Sequence, residues 1–203
     1  MNVLKITKAD LDERGFYAAS ASVDFDGAVE IEGGLGWVRV RGFLRASASI
    51  AAAAGSGIQA GDGIKAGWGI NAGSGIDAGS DINAGDGIES GWGINAGKGI
   101  NAGKGINAGK GIKAGDGIEA GWGINAGSGI RAGWGIKAGL QITAKKSVIA
   151  KLWIFAGICI WRIPQPHEMT ITAQRIDGTV CFGKVKLLPI ETAAAPAEST
   201  NAA

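Results

Sequence analysis

Residues able to do acid–base, nucleophilic or metal chemistry are scarce in this chain. It has one histidine, His167, and two cysteines, Cys159 and Cys181, in 203 residues. His167 sits between Pro166 and Glu168, outside any regular pattern. A general base needs a partner that holds and orients it, and one histidine without a placed serine and carboxylate assembles no nucleophilic triad. His167 therefore reads as a loop residue. Two cysteines and one histidine also fall short of a four-ligand structural zinc site. No catalytic residue, metal ligand or cofactor is assigned. Free thiols suit a reducing cytosol. If the carboxy-terminal strand folds over the last coil, Cys159 and Cys181 are expected as a buried pair of thiols.

Tryptophan and lysine, by contrast, are placed with regularity. Trp68, Trp92, Trp122 and Trp134 each stand between two glycines, as do Lys98, Lys104 and Lys110. Indole is a preferred anchor in protein recognition and is unfavourable to leave in water. These seven side chains are the candidate partner-binding residues. Two other roles stay open. Each indole could lie flat over neighbouring glycine and cover backbone, and the three lysines could form a solvated belt around one level of the molecule.

The element that must position them runs from Gly55 to Thr143. Isoleucine recurs there at every sixth residue from Ile58 to Ile142, in a unit Gly-x-Gly-Ile-x-Ala. Asp81 replaces one glycine and Ser90 one alanine without disturbing the phase. A period of six is a multiple of the strand period of two and not of the helical 3.6. Interior glycines, at about 1 kcal/mol each against alanine, also exclude a helix. In an extended segment Ile and the following Ala face one side while the polar residue between them faces the other. Gly-x-Gly is expected to turn the chain through conformations that a Cβ forbids, lifting its central residue outward. Exact short repeats signal solenoids. A polyproline II bundle would also place every third residue outward, but its reversals would break the phase. The predicted fold is all-β, a triangular single-stranded β-helix of about 18 residues per coil, with capping strands at both ends.

Val40, Val148, Ile154 and Ile160 extend the phase. This predicts an amino-terminal cap over 1–45, a solenoid over 46–163, a carboxy-terminal cap over 164–191 and a disordered tail over 192–203. Six or seven coils at the strand spacing make a rod of about 30 Å. Thr7 with Asp10 predicts a helix start and a short helical turn from Lys8 to Arg14. Strands are predicted at Phe16–Phe25, Ala28–Glu32 and Trp37–Leu44. Trp153, Phe155 and Trp161 fall at positions that face outward in the repeat. They are expected to be covered by strands at Glu168–Arg175 and Thr179–Leu188, paired around Asp177-Gly178. Positions eighteen apart should stack into columns. Three corner columns are expected, Asp62-Ser80-Lys98-Asp116-Trp134, Trp68-Asp86-Lys104-Trp122 and Ser56-Ser74-Trp92-Lys110-Ser128. Opposite charges meet along the first two and the third holds no acid; the mid-strand columns behave similarly, and Asn71, Glu89, Asn107 and Asn125 form one that could bond between coils.

Composition narrows the function classes. Net charge is +2, and no basic stripe marks a nucleic-acid groove. No apolar run matches a signal peptide, and Val148–Ile163, broken by Lys151 and Arg162, is short of a bilayer span. The expected location is the cytoplasm of a bacterial host, with a protein partner, no membrane, and oligomerisation through a cap left open. The Gly-x-Gly units open no helix and are not phosphate loops.

Three resemblances follow from these motifs. Hexapeptide-repeat acyltransferases share the single-stranded β-helix, but the residue two before Ile here is Asp, Trp, Lys or Ser where that family has a small one. The unbroken hexads of Gly55–Thr143 resemble bactofilins, β-helices that polymerise end to end. That implies a filament subunit, against which the aromatic, non-repeating ends argue. The Ile-x-Ala-Gly-Trp-Gly-Ile units, followed by Leu152–Gly157 and Trp161–Pro164, are similar to phage and prophage repeat proteins. This implies a small accessory protein of a mobile element, a class that includes inhibitors of host defence such as anti-CRISPRs. Ice binding is a further alternative, although its usual threonine array is missing: Thr143 is the one threonine of the repeat.

Overall fold

A computed structural model describes residues 1–190, so most of the predicted 164–191 segment is described and the 192–203 tail lies outside the described residues. The fold is an all-β parallel solenoid of about 9 turns. Each turn carries three short strands, and every pairing between named strands is parallel. Register confirms a turn of 18 residues through the repeat: Ile58 pairs with Ile76, Ile76 with Ile94, and Ile94 with Ile112. Three stacks of strands result, identified here by one isoleucine each. The Ile70 stack forms a sheet of 10 strands, from Val3–Ile6 to Lys184–Leu187. The Ile64 and Ile76 stacks join into one sheet of 15 strands. The long strand Ser147–Ala156 links them, because it runs through a corner and pairs with Ile130–Ala132 and then Ile136–Ala138.

Ile and Ala of every hexad point inward and are buried, while the residue between them is exposed or half-buried. Each buried Ile is worth about 1.5–3 kcal/mol relative to exposure, so the column of isoleucines is the main stabilising feature. The two substituted hexads are accommodated by hydrogen bonds. Ser90, at an alanine position, sets its hydroxyl 3.0 Å from the carbonyls of both Ser74 and Gly93, so its one proton is shared between two acceptors. Asp81, at a glycine position, accepts the Gly99 N–H at 2.9 Å.

The expected reason for the repeat's glycines is corrected. Between Gly57 and Gly139 none has a positive φ. The first glycine of each Gly-x-Gly is required by proximity instead: a Cβ on Gly79 would lie 1.9 Å from the Gly61 carbonyl oxygen, and one on Gly103 2.0 Å from that of Gly85. Successive coils approach so closely at the corner that a methyl group has no space.

The amino-terminal segment is built from turns of the same coil, with no break at residue 45. Val3 pairs with Ala28, Val23 with Leu44, and Val38 with Ile58. Observed strands are Val23–Phe25, Ala28–Ile31, Gly36–Val40 and Leu44–Ala46. The register step there falls from 25 residues, where Val3 meets Ala28, through 21, where Val23 meets Leu44, to 20, where Val40 meets Ala60 and Leu44 meets Ile64. Val40 and Ala46 thus hold alanine positions, not the isoleucine positions that counting by six gives them. An offset of two is one strand period, so inward residues stay inward. In place of a helix to Arg14, a 3-10 turn spans Lys8–Asp10. The Thr7 N–H and hydroxyl both donate to the Asp10 carboxylate at 2.8 Å, which holds that carboxyl below its usual range, the backbone bond contributing most.

At the other end Val148 and Ile154 continue the core, but Ile160 does not. The strand stops at Ala156, Gly157 takes φ +87°, and Ile160 is 99 % exposed in an excursion that bulges out of the coil. The chain then re-enters the coil. Thr170–Ala173, Arg175–Phe182 and Lys184–Leu187 add parallel strands beyond the last repeat. The expected hairpin over the aromatic residues is not formed. Asp177 and Gly178 lie inside one strand, which extends the sheet at its edge.

Candidate interaction surface

The corners hold the outward residues in straight files. The Trp68 N–H donates to Ala48, Asp86 to the Trp68 carbonyl, Lys104 to Asp86, and Trp122 to Lys104, all within 3.2 Å. The same ladder runs through Asp62, Ser80, Lys98, Asp116 and Trp134, and through Ser56, Ser74, Trp92, Lys110 and Ser128. All three expected columns are therefore present. Trp68, Trp92, Trp122 and Trp134 are 44 to 60 % exposed. Lys104 pairs with Asp86 at 2.9 Å. Lys110 sets its ammonium 4.7 Å from the centre of the Trp92 ring, and Trp122 makes a tilted contact at 6.0 Å with Trp161 from the carboxy-terminal excursion. Lys98 lies between Ser80 and Asp116 in its column.

Two other indoles lie flat over glycine. A Cβ on Gly57 or Gly75 would meet the Trp37 ring at 3.0 and 2.7 Å, and one on Gly135 would meet Trp153 at 2.3 Å. Both tryptophans stand directly before an inward aliphatic, Val38 and Ile154, where the repeat has glycine. That position is the signal, and sequence reasoning missed Trp37 by reading it only as part of a strand.

These pre-isoleucine glycines form the floor of shallow grooves along the stacks. One, of about 570 Å³, lies on the Ile76 stack. Trp37 closes one end and Ser147 the other; Trp92 and Lys110 flank one side, and Asp77, Asn95, Lys113 and Arg131 the other. Asp77 accepts from Asn95 at 3.1 Å and Gln59 at 3.5 Å. Lys113 and Arg131 are direct neighbours in the ladder, so the charge alternation expected of the columns fails on this stack. A second groove of about 390 Å³ on the Ile70 stack is lined by Glu89, Lys104, Asn107 and Trp122. On the Ile64 stack Asp81 and Trp153 interrupt the floor. In the predicted Asn71–Asn125 column Asn107 donates to Glu89 at 3.4 Å; a further amide contact, not predicted, has Asn101 donating to Asn83 at 3.3 Å on the Ile64 stack.

His167 lies in the 3-10 turn Pro166–Glu168 of the excursion. Its neighbour Glu168 is gripped by Arg162 through two bonds of 2.5 and 2.6 Å and also accepts the Gln165 N–H at 2.8 Å. The Arg162 bonds, and then that N–H, hold the Glu168 carboxyl at about 2. Both cysteines are free; Cys159 is half-buried and Cys181 exposed, so they are not the buried pair expected. Among the described residues no group of three or more His, Cys, Asp and Glu is placed to hold a metal ion, and no helix is long and apolar enough to cross a membrane. No family model, no curated protein and no solved structure matches the chain.

Proposed function

We propose that this chain is a non-enzymatic binding scaffold that presents corner tryptophans and lysines to a protein partner. One observation carries the reading: four indoles stand exposed on corners whose order is fixed by continuous backbone hydrogen bonds. Side chains held by such a frame lose little freedom on association, and tryptophan is the residue type most often dominant at interfaces. The Gly-Trp-Gly-Ile motifs, similar to those of prophage repeat proteins, favour an accessory protein of a mobile element acting in the host cytoplasm, of the kind that inhibits host defence. Replacing Trp68, Trp92 and Trp134 by Ser tests it. Partner capture from host lysate should fall to background while the circular dichroism spectrum is retained; undiminished capture rejects the reading. A bactofilin-like filament subunit is the second reading: the exposed Val185 and Leu187 of the last described strand favour it, while Lys184 and Lys186 of the same strand oppose it. Growth of scattered light with concentration would support that alternative.

A further inference from the structure

We infer that the groove on the Ile76 stack is a docking channel for an extended, carboxylate-rich segment of the protein partner. The inference rests on the scaffold reading and specifies the partner's chemistry. Three observations converge. First, charge is uncompensated there. Lys110, Lys113 and Arg131 line the groove and join no ion pair among the described residues. Lys146, whose N–H donates to the Ser128 carbonyl, adds a fourth cation at the top of the Lys110 column. The one acid, Asp77, sits toward the Trp37 end and is already engaged by two amides. Second, the floor offers donors. The N–H groups of Gly93, Gly111 and Gly129 find no acceptor among the described residues, and these glycines are half-buried, not covered.

Third, the molecule shows what such a floor accepts. On the Ile64 stack the equivalent N–H, that of Gly99, is taken by the Asp81 carboxylate, rooted one coil below in the same file. An acidic side chain laid on the Ile76 floor would make the same bond with cations beside it, a charge-assisted contact of the stronger kind. The Ile70 groove lacks this character, because Glu89 lines it and Lys104 is paired with Asp86. Single-stranded nucleic acid would also answer the charge. It binds by stacking bases on aromatic faces, however, and here Lys110 occupies a face of Trp92 while Trp37 is pressed onto glycine.

Fluorescence anisotropy with the full chain tests the assignment, using a labelled twelve-residue oligo-glutamate against oligo-glutamine and oligo-deoxythymidine. Oligo-glutamate should bind tightest. Charge reversal by Lys113→Glu with Arg131→Glu should weaken it at least about tenfold, as expected for loss of close charge contacts. The control Lys65→Glu, on another stack, should change it less than about twofold. Gly111→Asp, which repeats in this groove what Asp81 does in its neighbour, should also abolish binding without loss of the dichroism spectrum. Equal affinity for oligo-glutamine, tighter binding of oligo-deoxythymidine, or equal weakening by Lys65→Glu would each overturn the inference. If oligo-glutamate is ignored while tryptophan-dependent capture persists, the groove assignment fails and the scaffold reading stands; the opposite result fails the corner surface alone.

Discussion

Two glycines of one hexad meet different neighbours. A Cβ on Gly103 would fall 2.0 Å from a carbonyl oxygen of the coil before, whereas one on Gly105 would lie 3.3 Å from that of Gly123. Gly103→Ala should therefore destabilise the coil by about 3 kcal/mol, the upper range for overpacking, and Gly105→Ala by less than about 1 kcal/mol. Urea unfolding followed by circular dichroism separates them. Equal effects would show that the corner can relax. Spacing alone reveals that both glycines punctuate the chain, but not that only one is sterically obligatory, because the difference lies in a neighbour 18 residues away. The outward tryptophans were legible for the opposite reason: the repeat marks their position, and their exposure follows from it. The crowding of Lys113 on Arg131 is also legible in the sequence, 18 residues apart, but on a mid-strand column, where the opposite-charge pattern of the corner files does not hold.

At the scale of elements, the excursion between Gly157 and Thr170 is held by the Arg162–Glu168 pair. The Glu168 carboxyl is depressed to about 2 from an ordinary 4.5, so its anchoring is fully present above 4.5 and is lost as pH falls through about 2. Trp161 packs on Trp122 from this excursion. Tryptophan fluorescence should consequently shift between those limits, and Glu168→Gln should bring the low-pH signal to neutral pH and flatten the titration. A wild-type titration centred near 4.5 would count against the anchor. Strands inside the repeat were predictable because period, burial and turn all agree there. Ile160 shows where that agreement ends: it keeps the count of six, yet the preceding turn at Gly157 has already left the coil. Likewise the hairpin drawn around Asp177-Gly178 failed, because a parallel edge offered by Ser147–Ala156 competes with local turn chemistry and prevails.

At the scale of the molecule, the described sheet ends in an open rung. Val185 and Leu187 stand in line with the buried Ile171 and Ala173 but have nothing beyond them in the described sheet order, and Leu187 is 63 % exposed. Lys184 and Lys186 alternate with them along the same strand. Edge lysines oppose strand-to-strand association between copies, since a second copy would set ammonium against ammonium. Replacing both by Thr should produce concentration-dependent growth in light scattering at moderate salt, and a particle size unchanged from wild type would show that the edge is guarded otherwise.

The constant step of 18 has one more consequence. Excising Gly91–Ala108, a complete circuit, would shorten the rod by one level and leave every downstream surface above its former neighbours. Excising a single hexad would instead turn everything after the cut by a third of a circuit. Trp122 would then face the side now held by Trp134's neighbours, and the flanks of the long groove would no longer belong to one face. Length in this architecture is thus freely adjustable only in whole circuits, and any smaller edit re-addresses the surface while leaving the interior intact.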